Sequence, residues 1–309
     1  MIFSGFLWAP IFDKHNEIFE EINQSITVRN FYIYHFENSE IYINMIKHIY
    51  KTDDISQENI AKKIENLIMF SQKCIYFSLE ISEPVFRKKS NGNKISTIVE
   101  KLKKTIRNKY KQFVSNYIHD NIIHITDNEE QTLQIHELMN NYNNYMTFHF
   151  VNIKFLLNAQ FNNEIFTRVD MLVRKVVIEK FIDPLCTDST YYFKVYTKMQ
   201  KLRGTYKTHN INRFKKLISS LESSTYDTSS TINVRPNYIF TDGSHRLAYL
   251  YLKDYTFVSC KPTMVFQANT NDAEKIYINY SMKWFEKRFS KRTCNMIKNE
   301  LNKLKDYLK

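Results

Sequence analysis

The first 150 residues switch hydrophobic period again and again, and that switching restricts the fold more than any other feature of the chain. "MIFSGFLWAP" reads as a strand, "DKHNEIFEEINQ" as a helix, "ITVRNFYIYHF" as a strand and "SEIYINMIKHIYK" as a helix. Strands that alternate with helices point to an open α/β sheet, and the rhythm predicts a Rossmann-like, largely parallel one. A further helix fits "ISQENIAKKIENLIMF" and a buried strand fits "CIYFSLEI". The polar loop "SEPVFRKKSNGNK" follows, then a helix with Ile98, Leu102, Ile106 and Val114 on one side. The strand "NIIHIT" and the helix "NEEQTLQIHELM" complete a domain expected over residues 1–150.

Residues 151–309 follow another pattern and are expected to form a second domain. Helices fit "RVDMLVRKVVIEKFI", "DSTYYFKVYTKMQKLRG" and "NINRFKKLISSLES". Short strands fit "STINVRP" and "NYIFTDG", a helix fits "SHRLAYLYLKD", and a strand fits "TFVSCKPTMV". The fold class expected for the whole is mixed α/β, with helical elaborations in the second domain.

Composition narrows the function classes. With 43% hydrophobic and 25% charged residues the chain is globular rather than disordered. Its formal charge of +12 favours acidic partners such as nucleotides, phosphosugars or nucleic acid. Half of that charge lies in the tail, where Ser281 to Lys309 holds nine Lys/Arg against three Asp/Glu. The same tail places Ile297, Leu301, Leu304 and Leu308 at helical spacing, which describes an amphipathic helix with a wet charged face. The confined charge weighs against a general nucleic-acid surface. Cys74, Cys186, Cys260 and Cys294 lie far apart and form neither a zinc signature nor a disulfide framework. Neither a leader nor an apolar run of membrane-spanning length is evident, so a soluble, cytoplasmic protein without a membrane span is expected.

The stretch "YIFTDGSHRLAYLYL" carries the chemistry. Gly243 is one of only four glycines in the chain, and it stands between Asp242 and a Ser244-His245-Arg246 run. A strand that stops at Asp242-Gly243 and restarts as a helix at Ser244 forms a phosphate-site geometry, because the first helical turn leaves amides unpaired beside a partial positive charge. Glycine lets a phosphate approach the backbone and permits positive φ, while Ser244 can cap the helix. His245 and Arg246 add donors, and Asp242 can hold Mg²⁺ or accept a hydroxyl proton. The competing reading is an N-capped helix after a glycine turn, with Arg246 in a surface ion pair.

The run "RFKKLISSLESSTYDTSSTINVRPNYIFTDGSHRLAYLYLKDYTFVSCKP" gives helix, strand, turn, helix and strand around the string DGSHRLA. This resembles the ParB/sulfiredoxin-like superfamily over roughly Arg203 to Val265, a fifth of the chain. The superfamily includes partition-protein CTPases, sulfiredoxin and kinases acting on free serine. The resemblance implies nucleotide-phosphate contacts for Gly243, Ser244, His245 and Arg246. Ser244 stands where sulfiredoxin has its reactive cysteine, which removes sulfinic acid repair. No recognition helix follows for a DNA reader, and Asp242-Gly243 before a histidine-arginine pair looks closest to the kinase branch. That branch implies ATP, or alternatively CTP, with Mg²⁺ at Asp242 and with Asp242 and His245 as catalytic groups. A hydroxylated small-molecule acceptor, such as a sugar or polyol of a surface-polysaccharide pathway, is expected. The alternative is a ParB-like nucleic-acid-binding protein or nuclease that hydrolyses a nucleotide.

Two more clusters are candidates. "MQKLRGTYKTHN" sets Arg203, Tyr206, Lys207 and His209 around Gly204. Arg203 and Lys207 can neutralise phosphate charge, or Arg203-Gly204 can simply end a helix. "YIHDNIIHITDNEEQ" surrounds a strand with Asp120, His124 and Asp127. Asp127 at the carboxyl end of that strand suits an acceptor or metal, whereas Thr126 or Asp127 can equally cap the next helix, and His124 can be a satisfied buried histidine. No GxGxxG string is present, which excludes a nicotinamide-dependent enzyme of the usual fingerprint.

Overall fold

Strand β1 (Ile2–Trp8) buries large apolar side chains on both faces, Phe3 and Leu7 on one and Phe6 and Trp8 on the other. It must therefore lie inside a sheet covered on both sides. The structure is a computed structural model that describes residues 1–51, 53, 55–88, 92–115, 117, 121–161, 168–224, 226–235, 238–262 and 281–309. Asp120, Pro236 and residues 263–265 of the last expected strand lie outside the described residues. The chain divides into two compact units, Met1–Phe150 and Val151–Lys309, and is mixed α/β.

After β1 the first unit runs through α1 (His15–Asn23), β2 (Thr27–His35), α2 (Ser39–Tyr50), α3 (Gln57–Ile68) and β3 (Lys73–Glu80). It continues with β4 (Phe86–Lys88), β5 (Lys94–Ser96), α4 (Thr97–Tyr110), β6 (Ile123–Ile125), α5 (Glu129–Asn140) and β7 (Met146–Asn152). The strand order is β6-β1-β3-β2-β7.

The Rossmann-like, parallel expectation is corrected by the pairing. Strand β3 runs antiparallel to both β1 and β2, with Phe77 opposite Gly5 on one side and Phe31 on the other. β1 and β2 do point the same way, as a β-α-β unit requires, but β3 is inserted between them. The cause is the pair of helices α2 and α3. One crossover helix returns the chain parallel, whereas two in succession bring it back to the end it left, so the next strand reverses. The single helix α4 then carries β6 to the free side of β1, again antiparallel to it. The polar segment expected as a loop contains the hairpin β4–β5, with Phe86 opposite Ser96.

Helix α1 covers one sheet face, where the Phe19 ring lies 4.9 Å from Phe31 and 5.3 Å from Phe77. Tyr42, Met45, Ile60 and Ile135, from α2, α3 and α5, cluster with Phe6 and Trp8 on the other. Gly5 is set by packing. A Cβ there would stand 2.3 Å from Cζ of Phe77. Gly5→Ala is expected to push that ring off α1 and lower stability by about 1–3 kcal/mol, the usual range for overpacking. A chemical denaturation midpoint equal to wild type would show that Phe77 does not depend on this space.

The second unit comprises α6 (Ile153–Phe161), α7 (Val169–Ile182), α8 (Ser189–Leu202), α9 (Asn210–Ser223), β8 (Ile232–Val234), α10 (Ser244–Leu252), β9 (Phe257–Pro262), α11 (Met282–Glu286) and α12 (Lys291–Leu308). Every residue of α7 from Val169 to Ile178 is buried, so this helix is the axis around which the others pack. Strands β8 and β9 are parallel, with Ile232 opposite Cys260, and α10 is their crossover. The strand expected at "NYIFTDG" shrinks to one bridge between Val234 and Phe240, because Tyr238 takes a φ of 63° that breaks the extended run.

The basic tail forms the expected amphipathic helix. Ile297 and Leu304 are fully buried, and Lys175 of α7 meets Glu300 at 2.6 Å. All four cysteines are free thiols, three of them buried. Among the described residues no helix is long and apolar enough to cross a membrane.

Candidate functional site

The amide of Thr241 donates to the Asn233 carbonyl at 2.8 Å, which ties the chain leaving Phe240 to β8 just before the turn. Gly243 then adopts a φ of 90°, and its carbonyl accepts the first helical bond of α10 from Leu247 at 2.9 Å. A Cβ at this position would meet Ile232 at 3.1 to 3.2 Å, so both the dihedral and the neighbour call for glycine. Gly243 itself is the N-cap. The expectation that Ser244 caps the helix is corrected: Ser244 is the first helical residue, and no side chain caps the turn.

That arrangement leaves the amides of Ser244, His245 and Arg246 without a partner among the described residues, at the positive end of the α10 dipole. Asp242 is exposed beside them, with Oδ1 accepting from the Gly243 amide at 2.7 Å. Arg246 donates through NH1 to the Thr231 carbonyl at 2.5 Å. Its other nitrogens have no partner among the described residues, so the fork is anchored at one prong. Among the described residues the surface ion pair of the competing reading is not formed.

His245 turns inward. Its Nε2 lies 3.3 Å from Nε of Arg174 and 2.9 Å from the Tyr196 hydroxyl. Arginine can only donate, so Nε2 is the acceptor and the proton sits on Nδ1. Burial first, then the charge of Arg174, pushes the imidazole pKa well below its ordinary value, with Asp170 opposing. The ring is neutral and holds the turn against α7 and α8.

Beneath it lies a buried charge cluster. Asp170 is fully buried and binds Arg168 through Nε at 3.0 Å, Arg174 through NH1 at 2.7 Å and Arg203 through NH1 at 3.1 Å. Burial alone would raise the Asp170 carboxyl, but the charges of Arg168 and Arg174, a hydrogen bond from Arg168 and the charge of Arg203 hold it well below the usual carboxylate range. One carboxylate thus faces three guanidinium groups beside a neutral histidine.

Arg203 therefore joins His245 through Asp170 and Arg174, although its guanidinium reaches the buried carboxylate rather than the turn. The helix-ending reading of Arg203-Gly204 is also correct in geometry. Gly204 has a φ of 69°, with Gly204 N bound to Lys201 O at 3.0 Å and Thr205 N to Gln200 O at 3.0 Å. Lys207 is exposed in the following loop, and no interaction among the described residues links its side chain to the turn. No group of three or more His, Cys, Asp or Glu residues suited to a metal occurs among the described residues. Asp242 is thus a single-carboxylate donor. Such a site suits Mg²⁺ only where nucleotide phosphates complete its shell.

In the first unit, His124 and Asp127 line one cavity of about 340 Å³ beside β6. His124 Nδ1 lies 3.6 Å from Asp53, too long for a hydrogen bond. Burial first, then Lys103, Lys63 and Arg107, lowers its pKa well below the ordinary value. Asp127 accepts from Lys103 Nζ at 2.6 Å. The cap of α5 is neither Thr126 nor Asp127 but Asn128, whose side chain accepts from Gln131 N at 3.0 Å. Asp127 is thereby released to the cavity wall.

Sequence reading missed Asp170, Arg168, Arg174 and Tyr196 in the second unit, and Asp53, Lys63, Lys103 and Arg107 in the first. A signal existed for one pair: Asp170 and Arg174 stand four apart in "VDMLVRKVV", where only Lys175 besides them is not apolar, the spacing of an ion pair forced inside. No protein-family model matches the chain, and no curated protein matches it.

Proposed function

We propose that the protein is an ATP-dependent phosphotransferase whose second unit binds the nucleotide phosphates at the Asp242–Arg246 turn. The observation that carries this reading is the turn: among the described residues the Ser244, His245 and Arg246 amides have no partner at the amino terminus of α10, beside exposed Asp242 and with Arg174 behind His245. A polyphosphate is the common metabolite that answers such a surface. The resemblance of DGSHRLA to the ParB/sulfiredoxin-like kinases supports the same assignment.

In this proposal the Ser244, His245 and Arg246 amides and the open Arg246 prongs hold phosphate oxygens, and Gly243 lets them close on the backbone. His245 acts from behind as a neutral positioning residue, which revises its expected role as a catalytic group. Mg²⁺ at Asp242 would supply charge neutralisation between phosphates. An acceptor hydroxyl attacks the γ-phosphorus, the bond to the β-phosphate oxygen breaks, ADP leaves, and the hydroxyl proton passes to solvent when Asp242 holds the ion, or to Asp242 when it does not. Positioning and neutralisation of charge do most of the work in such a transfer. The acceptor is a small hydroxylated molecule, and the His124 and Asp127 cavity is its proposed site.

The test is mass-spectrometric. The protein is incubated with ATP, Mg²⁺ and a panel of sugars, polyols and free serine, with CTP in a parallel series. Formation of ADP together with a product 80 Da heavier than one acceptor is expected; that increment is the mass of PO₃H, about one transferred phosphoryl group. Unchanged ATP and CTP across the panel would overturn the proposal.

A further inference from the structure

Helices α8 and α9 border a groove of about 670 Å³ that lies apart from the turn at Gly243. Its floor is apolar. Phe193 of α8 is buried there, Ile211 of α9 is half-buried, and Leu202, the last residue of α8, is 46% exposed. One exposed leucine is ordinary by itself, but this one continues a floor that follows α8, a helix of 14 residues and thus about 20 Å long. Val195, Tyr196 and Met199 turn the other side of α8 into the core, so the groove face is separate from the one that folding uses.

Lysines edge the floor. Lys194, Lys198 and Lys201 follow one another along α8 in steps of four and three, the spacing of a single helix face, and Lys215 lines the groove from α9. All four are exposed. Three of them rest on rings: Lys198 Nζ lies 4.9 Å from the centre of Phe289, Lys201 Nζ 5.1 Å from Tyr206 and Lys215 Nζ 5.0 Å from Phe193. An aromatic ring steadies an ammonium group without cancelling its charge. The row is therefore charged, exposed and held in place.

Shape and charge select the occupant. A groove with so exposed a rim leaves a small ligand largely in water, whereas a short helix laid along it covers the apolar floor over its whole length. A second copy of the chain is opposed by the net charge of +12. Nucleic acid would need open aromatic faces for its bases, but Phe193 is only 7% exposed, and the accessible floor is the aliphatic pair Leu202 and Ile211. An apolar stripe flanked by carboxylates answers both the floor and the lysine row.

We propose that the α8–α9 groove docks an acidic amphipathic helix of a partner protein, with apolar side chains on Leu202 and Ile211 and carboxylates on Lys194, Lys198, Lys201 and Lys215. The groove lies wholly within the second unit. Its occupation does not depend on whether the turn at Gly243 binds a nucleotide.

The full-length protein is titrated by fluorescence anisotropy, without nucleotide, against a labelled peptide with Leu on one helical face and Glu on the other, about twelve residues and so roughly 18 Å long. Controls of the same length are its Leu/Lys counterpart, polyglutamate and oligo-dT. The Leu/Glu peptide is expected to bind at least tenfold more tightly than each control. Lys194→Glu combined with Lys198→Glu should weaken it at least tenfold, and Leu202→Asn at least threefold, with the circular dichroism of wild type in both cases. Lys291→Glu combined with Lys305→Glu on α12 removes as much positive charge and should leave the affinity within about twofold. No binding of the Leu/Glu peptide, equal binding of polyglutamate or tighter binding of oligo-dT would overturn the proposal. So would an equal loss in the α12 variant, or full binding by the natively folded groove variants.

Discussion

Asp170→Asn is expected to lower the stability of the protein by about 3–5 kcal/mol, the range for removing one partner of a buried ion pair. The substitution preserves shape but leaves Arg168, Arg174 and Arg203 facing one another without their shared counter-charge. Arg174 and Arg203 also lose the geometry that stations Arg174 against His245, so the motif turn should loosen with the core. The pH dependence follows from the sign of the shift. The folded carboxyl is held below its unfolded value, so its contribution is complete above about pH 4 and declines as the pH falls toward the folded value. Denaturant titration at pH 7 should therefore show the full gap between wild type and variant, and the gap should narrow progressively in acid. A gap that is absent at pH 7, or that widens in acid, would show that the carboxylate is not the anchor of the cluster.

The second large effect is expected at the turn. Gly243→Ala combines a Cβ at 3.1 Å from Ile232 with a φ of 90° that L-residues rarely adopt. Strain of this kind amounts to about 1–3 kcal/mol. It would also tilt the first turn of α10, and nucleotide binding should be strongly reduced. Asp242→Asn separates the two consequences. Asp242 is exposed, so the folded state should change by no more than about 0.5 kcal/mol, the range of ordinary surface substitutions. Its Mg²⁺-dependent nucleotide affinity should nevertheless fall at least tenfold. If Asp242→Asn binds as wild type does, the carboxylate is only a brace for the Gly243 amide.

Local features of this chain were legible in its sequence, and long-range ones were not. The switching periods located β1, α1, β2, α2, α3 and β3, because burial on one face imposes its spacing on each element separately. Pairing is a different matter. Nothing within β3 says that it will lie between β1 and β2, and only the two consecutive helices before it announce the reversal. At the site, the positive φ of Gly243 could be read from the rarity of glycine and its Asp and Ser neighbours. The role of His245 could not, since its partner Arg174 lies 71 residues away. Nor does the sequence tell that Arg203 reaches Asp170, 33 residues back, which only the folding of α8 against α7 brings near. Capping was misassigned twice for a shared reason. Ser244 and Asp127 are both good cap residues, but each was displaced by one position, by Gly243 and Asn128, whose backbone geometry decides where the helix begins.

Calorimetric titration of the full-length protein with ATP and Mg²⁺, beside Gly243→Ala and Asp242→Asn, tests the central claim most directly. Saturable binding by wild type is predicted, strongly reduced in both variants, with a matching stabilisation of about 2.7 kcal/mol at a hundredfold excess over Kd. No heat from ATP, CTP or GTP at millimolar concentration would contradict it, and the turn at Gly243 would then be a helix start and nothing more.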